Sequence, residues 1–145
     1  MMGNEEHRMA DLKHIRSDFV PGHWQFATDG GKSFTIGKES TPYDYLLGAL
    51  SGCLFATFDD LAKKMKVAWE HVGFEVDGEK RSEVPTTFEW VTIKVTATGV
   101  DNHAKFTKEF ETATRYCSIY TTISHGIRYG DDEENDVSIR ILADH

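Results

Sequence analysis

The chain has 145 residues, of which 39% are hydrophobic and 28% charged, a composition typical of one globular domain and not of a disordered chain. The formal net charge of −8 and the lack of a Lys/Arg cluster argue against nucleic-acid binding, which depends on basic side chains that displace counterions from phosphates. Because the sequence has no apolar run of membrane-spanning length and its first 14 residues are polar and acidic, we expect a cytoplasmic protein that binds no membrane.

The N-terminal third of the chain is predicted to form a small antiparallel sheet. Residues 1–11 are predicted to be mobile, and residues 12–145 to form a single domain. Apolar and polar residues alternate in "LKHIRSDF" and "HWQFATD", which the turn signal "VPG" separates. The segment "TDGGKSFTIG" predicts a second hairpin, because "DGG" tolerates the positive φ of a tight turn.

A long helix is predicted to follow this sheet. Thr41 can cap it, Pro42 suits the first turn, and Asp44 completes a capping box. From there to about Lys66 only glycines interrupt the helical sequence. Through Phe58 the residues are apolar or small on nearly every side, which predicts burial all round, and "DDLAKKMK" then becomes amphipathic.

The C-terminal half is predicted to contain two long strands, two helices and a last strand. The strands lie in "VAWEHVGFEVDGEKR" and in "TFEWVTIKVTATG", where either Trp90 or Val91 joins the inward face. Asp101 or Asn102 can cap a helix over "NHAKFTKEFETATRYC", whose apolar stripe is Ala104, Phe106, Phe110, Ala113 and Cys117. "SIYTTISHGI" predicts a short helix and "DVSIRILA" an edge strand. So few strands cannot cover an all-apolar helix, which favours a second subunit.

The two cysteines, Cys53 and Cys117, have two interpretations: small core residues, or two halves of a redox site. In a reducing cytosol they are not a disulfide framework. No CxxC, Cys/His, HxH or HxxxH spacing is present, so no metal and no cofactor is predicted.

The segment "TPYDYLLGALSGCLFATFDDLAKKM" resembles a helix of the osmotically inducible protein C (OsmC) superfamily, Pro-Tyr-Glu-Leu-Leu-Leu-Ala-Ala-Leu-x-x-Cys. That superfamily includes the organic hydroperoxide resistance proteins. The "PTTF" before a long strand and the second cysteine in "ATRYCSI" extend the resemblance over residues 12–143. The resemblance implies an α+β fold: an intertwined homodimer in which antiparallel sheets from both chains wrap long central helices.

The resemblance also implies a thiol peroxidase acting on organic hydroperoxides. In that family picture Cys53 is the attacking, peroxidatic cysteine and Cys117 resolves it through an intramolecular disulfide. The chemistry requires a Cys53 thiolate, which becomes a sulfenic acid and then condenses with a nearby thiol. The two Cα atoms must therefore lie within about 7 Å. An external dithiol or a thioredoxin-like reductant is expected to close the cycle.

The family stabilises its thiolate with an arginine that a carboxylate positions near the start of the long helix. Asp44 takes the carboxylate position, one methylene shorter than the family's glutamate, and capping is an equally good interpretation. Asp44 and Cys53 are nine residues apart, hence roughly 13 Å and half a turn apart on one helix, so the partner subunit's Asp44 would have to serve Cys53. Arg16 is the candidate arginine, with Arg115 a weaker one.

A pocket for bulky hydroperoxides should be apolar, and the candidate wall residues are aromatic, with plain core packing as the alternative: Tyr43, Phe55, Phe58, Trp90 and Tyr120. Two other functions stay open. One is a hotdog-like thioesterase in which Asp44 does hydrolysis and the cysteines are bystanders. The other is a dimeric protein of the same fold that binds an apolar small molecule without efficient peroxidase activity.

Overall fold

A computed structural model describes residues 13–21, 23–35, 40–127 and 136–143, and the segment predicted to be mobile lies outside these ranges. The elements in chain order are β1 (Ile15–Val20), β2 (His23–Thr28), β3 (Ser33–Thr35), α1 (Pro42–Met65), β4 (His71–Lys80), β5 (Phe88–Thr98), α2 (His103–Tyr116), α3 (Ser118–Ile127) and β6 (Asp136–Ala143). The predicted α+β class is confirmed. The chain divides into two compact units, Met1–Tyr45 and Leu46–His145, while the single domain over residues 12–145 stays a prediction.

In the first unit, β1, β2 and β3 form an antiparallel sheet in that order, as the turn signals predict. The turn between β2 and β3 places Gly31 at φ 80°, where a side chain would be strained. One row of rings crosses the sheet, with centroid distances of 5.8 Å, 5.3 Å and 5.2 Å along Phe19, Phe26, Phe34 and Tyr45. The Tyr45 hydroxyl also donates to the Thr35 carbonyl, so the start of α1 is fixed to β3.

The long helix α1 buries a single stripe and not its whole circumference. The buried residues recur every four positions: Leu50, Leu54, Phe58 and Ala62. One chain covers only this stripe of α1, so the predicted burial on all sides would need the second subunit and stays a prediction. The helix is long and apolar enough to cross a membrane, a property that the core helix of a soluble protein shares.

In the second unit, the sheet has the order β4-β5-β6. β4 and β5 pair antiparallel, with His71 opposite Thr98, as predicted. β6 pairs parallel to β5, with Val91 opposite Val137, which differs from the purely antiparallel sheets that we expected. The reason is the connection: α2 and α3 carry the chain back between β5 and β6, and a crossover of this kind joins parallel strands.

The core of this unit lies between α1, α2 and β5. On β5 the buried residues alternate, and Val91 faces inward while Trp90 is 37% exposed, which decides between the two alternatives. Phe58 stacks on Phe110 with ring centroids 3.8 Å apart, and Phe106 packs at 4.9 Å from Phe58. Each fully buried phenylalanine contributes roughly 1.5–3 kcal/mol to the free energy of unfolding. These rings fix α2 against α1.

Two details of α2 differ from the sequence pattern or refine it. Asn102 is the N-cap, because its side chain accepts from the Lys105 backbone N–H, whereas Asp101 accepts from the Ala68 N–H. Ala104, predicted in the apolar stripe, is exposed, and Glu109 is buried instead. The stripe therefore begins at the second turn of α2, where the helix first meets the core.

Candidate active site

Cys53 lies on α1 beside the buried stripe and is half-buried. Its backbone carbonyl accepts from the Thr57 hydroxyl at 2.9 Å, one helical turn on. The adjacent Leu54 is fully buried in the core. A thiol on a helix whose buried stripe is fixed in the core keeps one position, and its partly exposed side leaves room for a small reactant.

Cys117 is the single residue between α2 and α3 and is fully buried. Its N–H donates to the Ala113 carbonyl and ends α2, and its carbonyl accepts from the Thr121 N–H in the first turn of α3. The Cys117 sulfur accepts from the Tyr120 N–H at 3.4 Å. Cys117 is therefore a C-cap and an N-cap at once, with its thiol in the place of the usual capping oxygen.

The sulfur atoms of Cys53 and Cys117 lie 3.0 Å apart, and both cysteines are free thiols. A disulfide bond is about 2.05 Å long, so closure needs a movement of only about 1 Å. The structure thus brings together the two cysteines that the sequence singled out. Two cysteines that merely fill the core have no need for such a contact.

The start of α3 surrounds the Cys53 sulfur with hydrogen-bond donors. Burial opposes ionisation of Cys53, but the Cys117 thiol, the Ile119 and Ser118 backbone N–H groups and the Ser118 hydroxyl donate to it, and together they lower its pKa below the ordinary value. The first N–H groups of a helix lack partners within the helix and carry partial positive charge, so they favour an anion.

The pKa values of the two thiols are shifted in opposite directions, down for Cys53 and up for Cys117. Burial and the hydrogen bond to Cys53 together raise the pKa of Cys117 to about 11, against the Tyr120 N–H that lowers it. Within the pair, Cys53 is the sulfur that ionises and Cys117 is the neutral donor, as the geometry of the contact indicates.

We expect the Ser118→Ala variant to react more slowly with electrophiles at neutral pH, by roughly three- to tenfold, because Cys53 loses one donor to its thiolate. A lowered pKa means that the Cys53 thiolate forms at a lower pH. The reactivity of the wild type should therefore begin to rise at a lower pH than that of the variant. The pH profile of iodoacetamide alkylation of Cys53 should move to higher pH in the variant.

The matched control for this test is Ser118→Thr, which keeps a hydroxyl at the same position of α3. Its pH profile should stay close to that of the wild type. If Ser118→Ala and Ser118→Thr shift the profile equally, the effect comes from altered packing and not from the hydroxyl.

Asp44 and Arg16 lie in the first unit. The Asp44 carboxylate accepts from the Thr41 backbone N–H at 2.8 Å and from the Thr41 hydroxyl at 3.0 Å, which is the capping box that the sequence predicts. Arg16 lies on β1, opposite Ala27, and is exposed. Their roles at a thiolate stay predictions. Arg115 is exposed on the last turn of α2.

The predicted wall residues lie in different surroundings. Phe58 is fully buried in the core, and Phe55 is half-buried against Trp69 and Phe74 at 5.6 Å and 6.4 Å. Tyr43 is half-buried near the start of α1. Tyr120 is also half-buried, and its backbone contacts the Cys117 sulfur. Contact with a substrate stays a prediction for all of them.

Two features of the site were not predicted from the sequence. One is the set of hydrogen-bond donors that Ser118 and Ile119 direct at Cys53. The sequence predicts a helix that starts directly after Cys117, and this helix start could have indicated them. The other is a cleft of about 470 Å³ beside the helix junction, lined by Thr114, Tyr120, Thr121, Ser124 and His125. Among the described residues, no group of three or more His, Cys, Asp or Glu side chains is arranged to hold a metal ion.

A family model described as OsmC-like protein matches residues 36–129. The structure is similar to that of an OsmC-like protein from Mycoplasma pneumoniae, with a TM-score of 0.77, 15% identity, and coverage of 94% of this chain and 100% of that one. It is also similar to the organic hydroperoxide resistance protein OhrB of Bacillus subtilis, with a TM-score of 0.60, 11% identity, and coverage of 93% of this chain and 99% of that one. A hypothetical protein from Aquifex aeolicus VF5 is similar with a TM-score of 0.75, 18% identity, and coverage of 93% of this chain and 99% of that one. No curated protein matches the chain. At these identities the structural likeness shows the fold alone.

Proposed function

Because the chain belongs to the OsmC-like protein family, we propose that it is a cysteine peroxidase that reduces organic hydroperoxides. The fold of that family is consistent with a peroxidase or redox role. The observation that supports this most strongly is the 3.0 Å contact between the Cys53 and Cys117 sulfurs. The contact joins a half-buried thiol of lowered pKa to a buried thiol of raised pKa. That asymmetry favours Cys53 as the attacking cysteine and leaves Cys117 as the second, resolving thiol.

In the first step the Cys53 thiolate attacks one oxygen of the hydroperoxide. The O–O bond breaks, sulfur is oxidised to a sulfenic acid, and the alkoxide takes a proton and leaves as an alcohol. Donors at the start of α3 hold the thiolate in place before the attack. The Cys117 thiol already touches the sulfur that becomes oxidised.

In the second step Cys117 attacks the sulfenic sulfur and water leaves. The charge of Cys53 and its hydrogen bond from Cys117 help to raise the pKa of Cys117, and both disappear once Cys53 is a neutral sulfenic acid. Cys117 then keeps the Tyr120 N–H, which favours its thiolate. Cys117 is therefore a thiol in the resting state, and the oxidation of Cys53 makes the ionisation of Cys117 easier. An external dithiol or thioredoxin-like protein would reduce the disulfide by exchange.

A consumption assay tests this proposal. With dithiothreitol as the reductant, the full chain should consume cumene hydroperoxide over many turnovers and should prefer it to hydrogen peroxide, because the wall residues predicted from the sequence are aromatic and favour an apolar substrate. Peroxide loss no faster than with dithiothreitol alone would contradict a peroxidase and leave the small-molecule-binding alternative. The thioesterase alternative has no support in the geometry, since the Asp44 carboxylate is held by Thr41.

We also propose that the chain works as a homodimer in the cytoplasm. Beside its buried stripe, α1 exposes small and apolar residues, among them Gly48, Ala49 and Gly52, and Leu46 is 36% exposed. A second copy of α1 packed on this surface would bury it. Antiparallel packing would also bring the partner subunit's Asp44 toward Cys53, as its predicted role requires. A reducing compartment fits the two free thiols.

Sedimentation of the full chain should give a species of about twice 16.4 kDa. The Gly52→Glu variant should shift the population to monomer. Apart from its own helix backbone and chain neighbours, a Cβ at Gly52 meets no atom of the described residues within 4 Å, and the new charge would lie in the proposed dimer interface. Gly126→Glu is the matched control, a helical glycine with equally open space, and should stay dimeric. Equal behaviour of the two variants would contradict an interface on α1.

A further inference from the structure

The two sulfurs of the pair are unequally accessible, and this has a consequence for how the disulfide is reduced. Cys117 has no solvent exposure, whereas Cys53 is partly exposed. We propose that an external thiol attacks the Cys53 sulfur only, so that the mixed disulfide forms on Cys53 and Cys117 is the leaving group. This inference rests on the proposed function, since it concerns the step that restores the reduced pair.

The surroundings of Cys117 explain why no thiol reaches its sulfur. The residue is held on both sides along the chain, by its N–H bond to Ala113 and by the bonds from the N–H and the hydroxyl of Thr121 to its carbonyl. The Tyr120 N–H occupies one side of the sulfur and Cys53 another. Although a cleft lies nearby, at Thr114, Tyr120 and Thr121, Cys117 itself has no solvent exposure.

Leaving-group strength alone favours the opposite outcome. A thiol of lower pKa leaves faster, so attack on Cys117, which expels Cys53, would be the easier exchange if both sulfurs were equally accessible. Access decides, however, because the attacking sulfur must reach bonding distance of the sulfur that it attacks. Departure of Cys117 is also eased, since the Tyr120 N–H stabilises the thiolate and the charge of Cys53 is absent while Cys53 is bonded to the reductant.

The exchange balances with two equivalents of thiol. The first thiolate forms a bond to the Cys53 sulfur and the Cys53–Cys117 bond breaks, which leaves Cys117 as a thiolate that takes a proton. A second thiolate then attacks the reductant's own sulfur in the mixed disulfide and releases the Cys53 thiolate. The two reductant thiols are oxidised to their disulfide, and the protein cysteines are reduced by two electrons.

The test begins with the full chain oxidised by diamide, which forms the disulfide without any peroxide. A brief exposure to 2-mercaptoethanol is quenched with acid, free thiols are blocked with N-ethylmaleimide, and the peptides are mapped by mass spectrometry. At the shortest times the mercaptoethanol adduct should lie on Cys53 and the maleimide on Cys117. An adduct that first appears on Cys117, or equally on both, would overturn the proposal.

A second measurement uses the reduced single-cysteine variants Cys117→Ser and Cys53→Ser with Ellman's reagent. The thiol of Cys53 should react at least about tenfold faster than that of Cys117. Cys117 is fully buried whereas Cys53 is partly exposed, and burial also opposes formation of the Cys117 thiolate. In denaturant the two rates should become equal. Equal rates in the native variants would contradict the proposed difference in access.

These outcomes are distinct from a failure of the peroxidase proposal. If the chain reduces no hydroperoxide, diamide still yields the disulfide whose exchange is mapped. If exchange begins on Cys117, peroxide consumption by Cys53 is unaffected, and only the order of the reductive steps changes.

Discussion

The Cys53→Ser variant is expected to lose organic hydroperoxide consumption by roughly three orders of magnitude or more, because a serine hydroxyl does not ionise near neutral pH and cannot replace a thiolate as nucleophile. The substitution changes one atom of a half-buried side chain, so the fold should persist. The measurement is the initial rate of cumene hydroperoxide loss with dithiothreitol in excess, compared with the rate in buffer.

Two controls make that result specific. Native and variant chains should have the same far-ultraviolet circular dichroism, and the variant should retain one thiol, that of Cys117, which should react more slowly in the native chain than in the denatured one. A variant that still consumes hydroperoxide at a tenth of the wild-type rate or more would show that Cys53 is not the attacking residue.

The Cys117→Ser variant should keep the first turnover and lose the protection that follows. With no second thiol in contact, the Cys53 sulfenic acid persists and further peroxide oxidises it irreversibly to sulfinic acid. Under repeated turnover with a slow external thiol, we expect the rate to fall by about tenfold or more as oxidised chains accumulate. Intact-protein mass spectrometry should record the gain of two oxygen atoms, which the wild type should not show at the same dose.

Comparing Cys117→Ala with Cys117→Ser separates two roles of Cys117: forming the disulfide with oxidised Cys53, and stabilising the Cys53 thiolate. Both variants lose the resolving thiol, but serine keeps an O–H that can donate to Cys53 as the Cys117 thiol does, and alanine does not. The first turnover should therefore be slower in Cys117→Ala than in Cys117→Ser, since the pKa of Cys53 is higher without a donor. A wild-type-like resistance to sulfinic acid in either variant would contradict the resolving role.

Local rules account for much of the fold. The hairpin turns, the capping box of Thr41 and Asp44 and the alternation along β5 depend on neighbouring residues, and each appears in the structure as the sequence predicts. Apolarity on all sides of α1 predicts that the helix is covered but not by which chain, and a single chain covers one stripe of it. The parallel pairing of β6 was missed because alternation predicts a strand without its direction.

The site shows the same division between local and long-range information. Both cysteines were identified from the sequence, yet their 3.0 Å contact depends on how α2 packs on α1 through Phe58 and Phe110. The donors at Ser118 and Ile119 were not predicted, because the sequence indicates a helix start after Cys117 but not which side chain of another helix lies beside it. Asp44 was identified with two roles, and the structure shows the capping one.

The most direct test is a count of free thiols in the full chain before and after one equivalent of cumene hydroperoxide, followed by peptide mapping. We predict that two thiols per chain disappear and that the peptides of Cys53 and Cys117 are recovered joined by a disulfide. Recovery of both thiols, or of Cys53 as a sulfinic acid beside a free Cys117, would contradict the account.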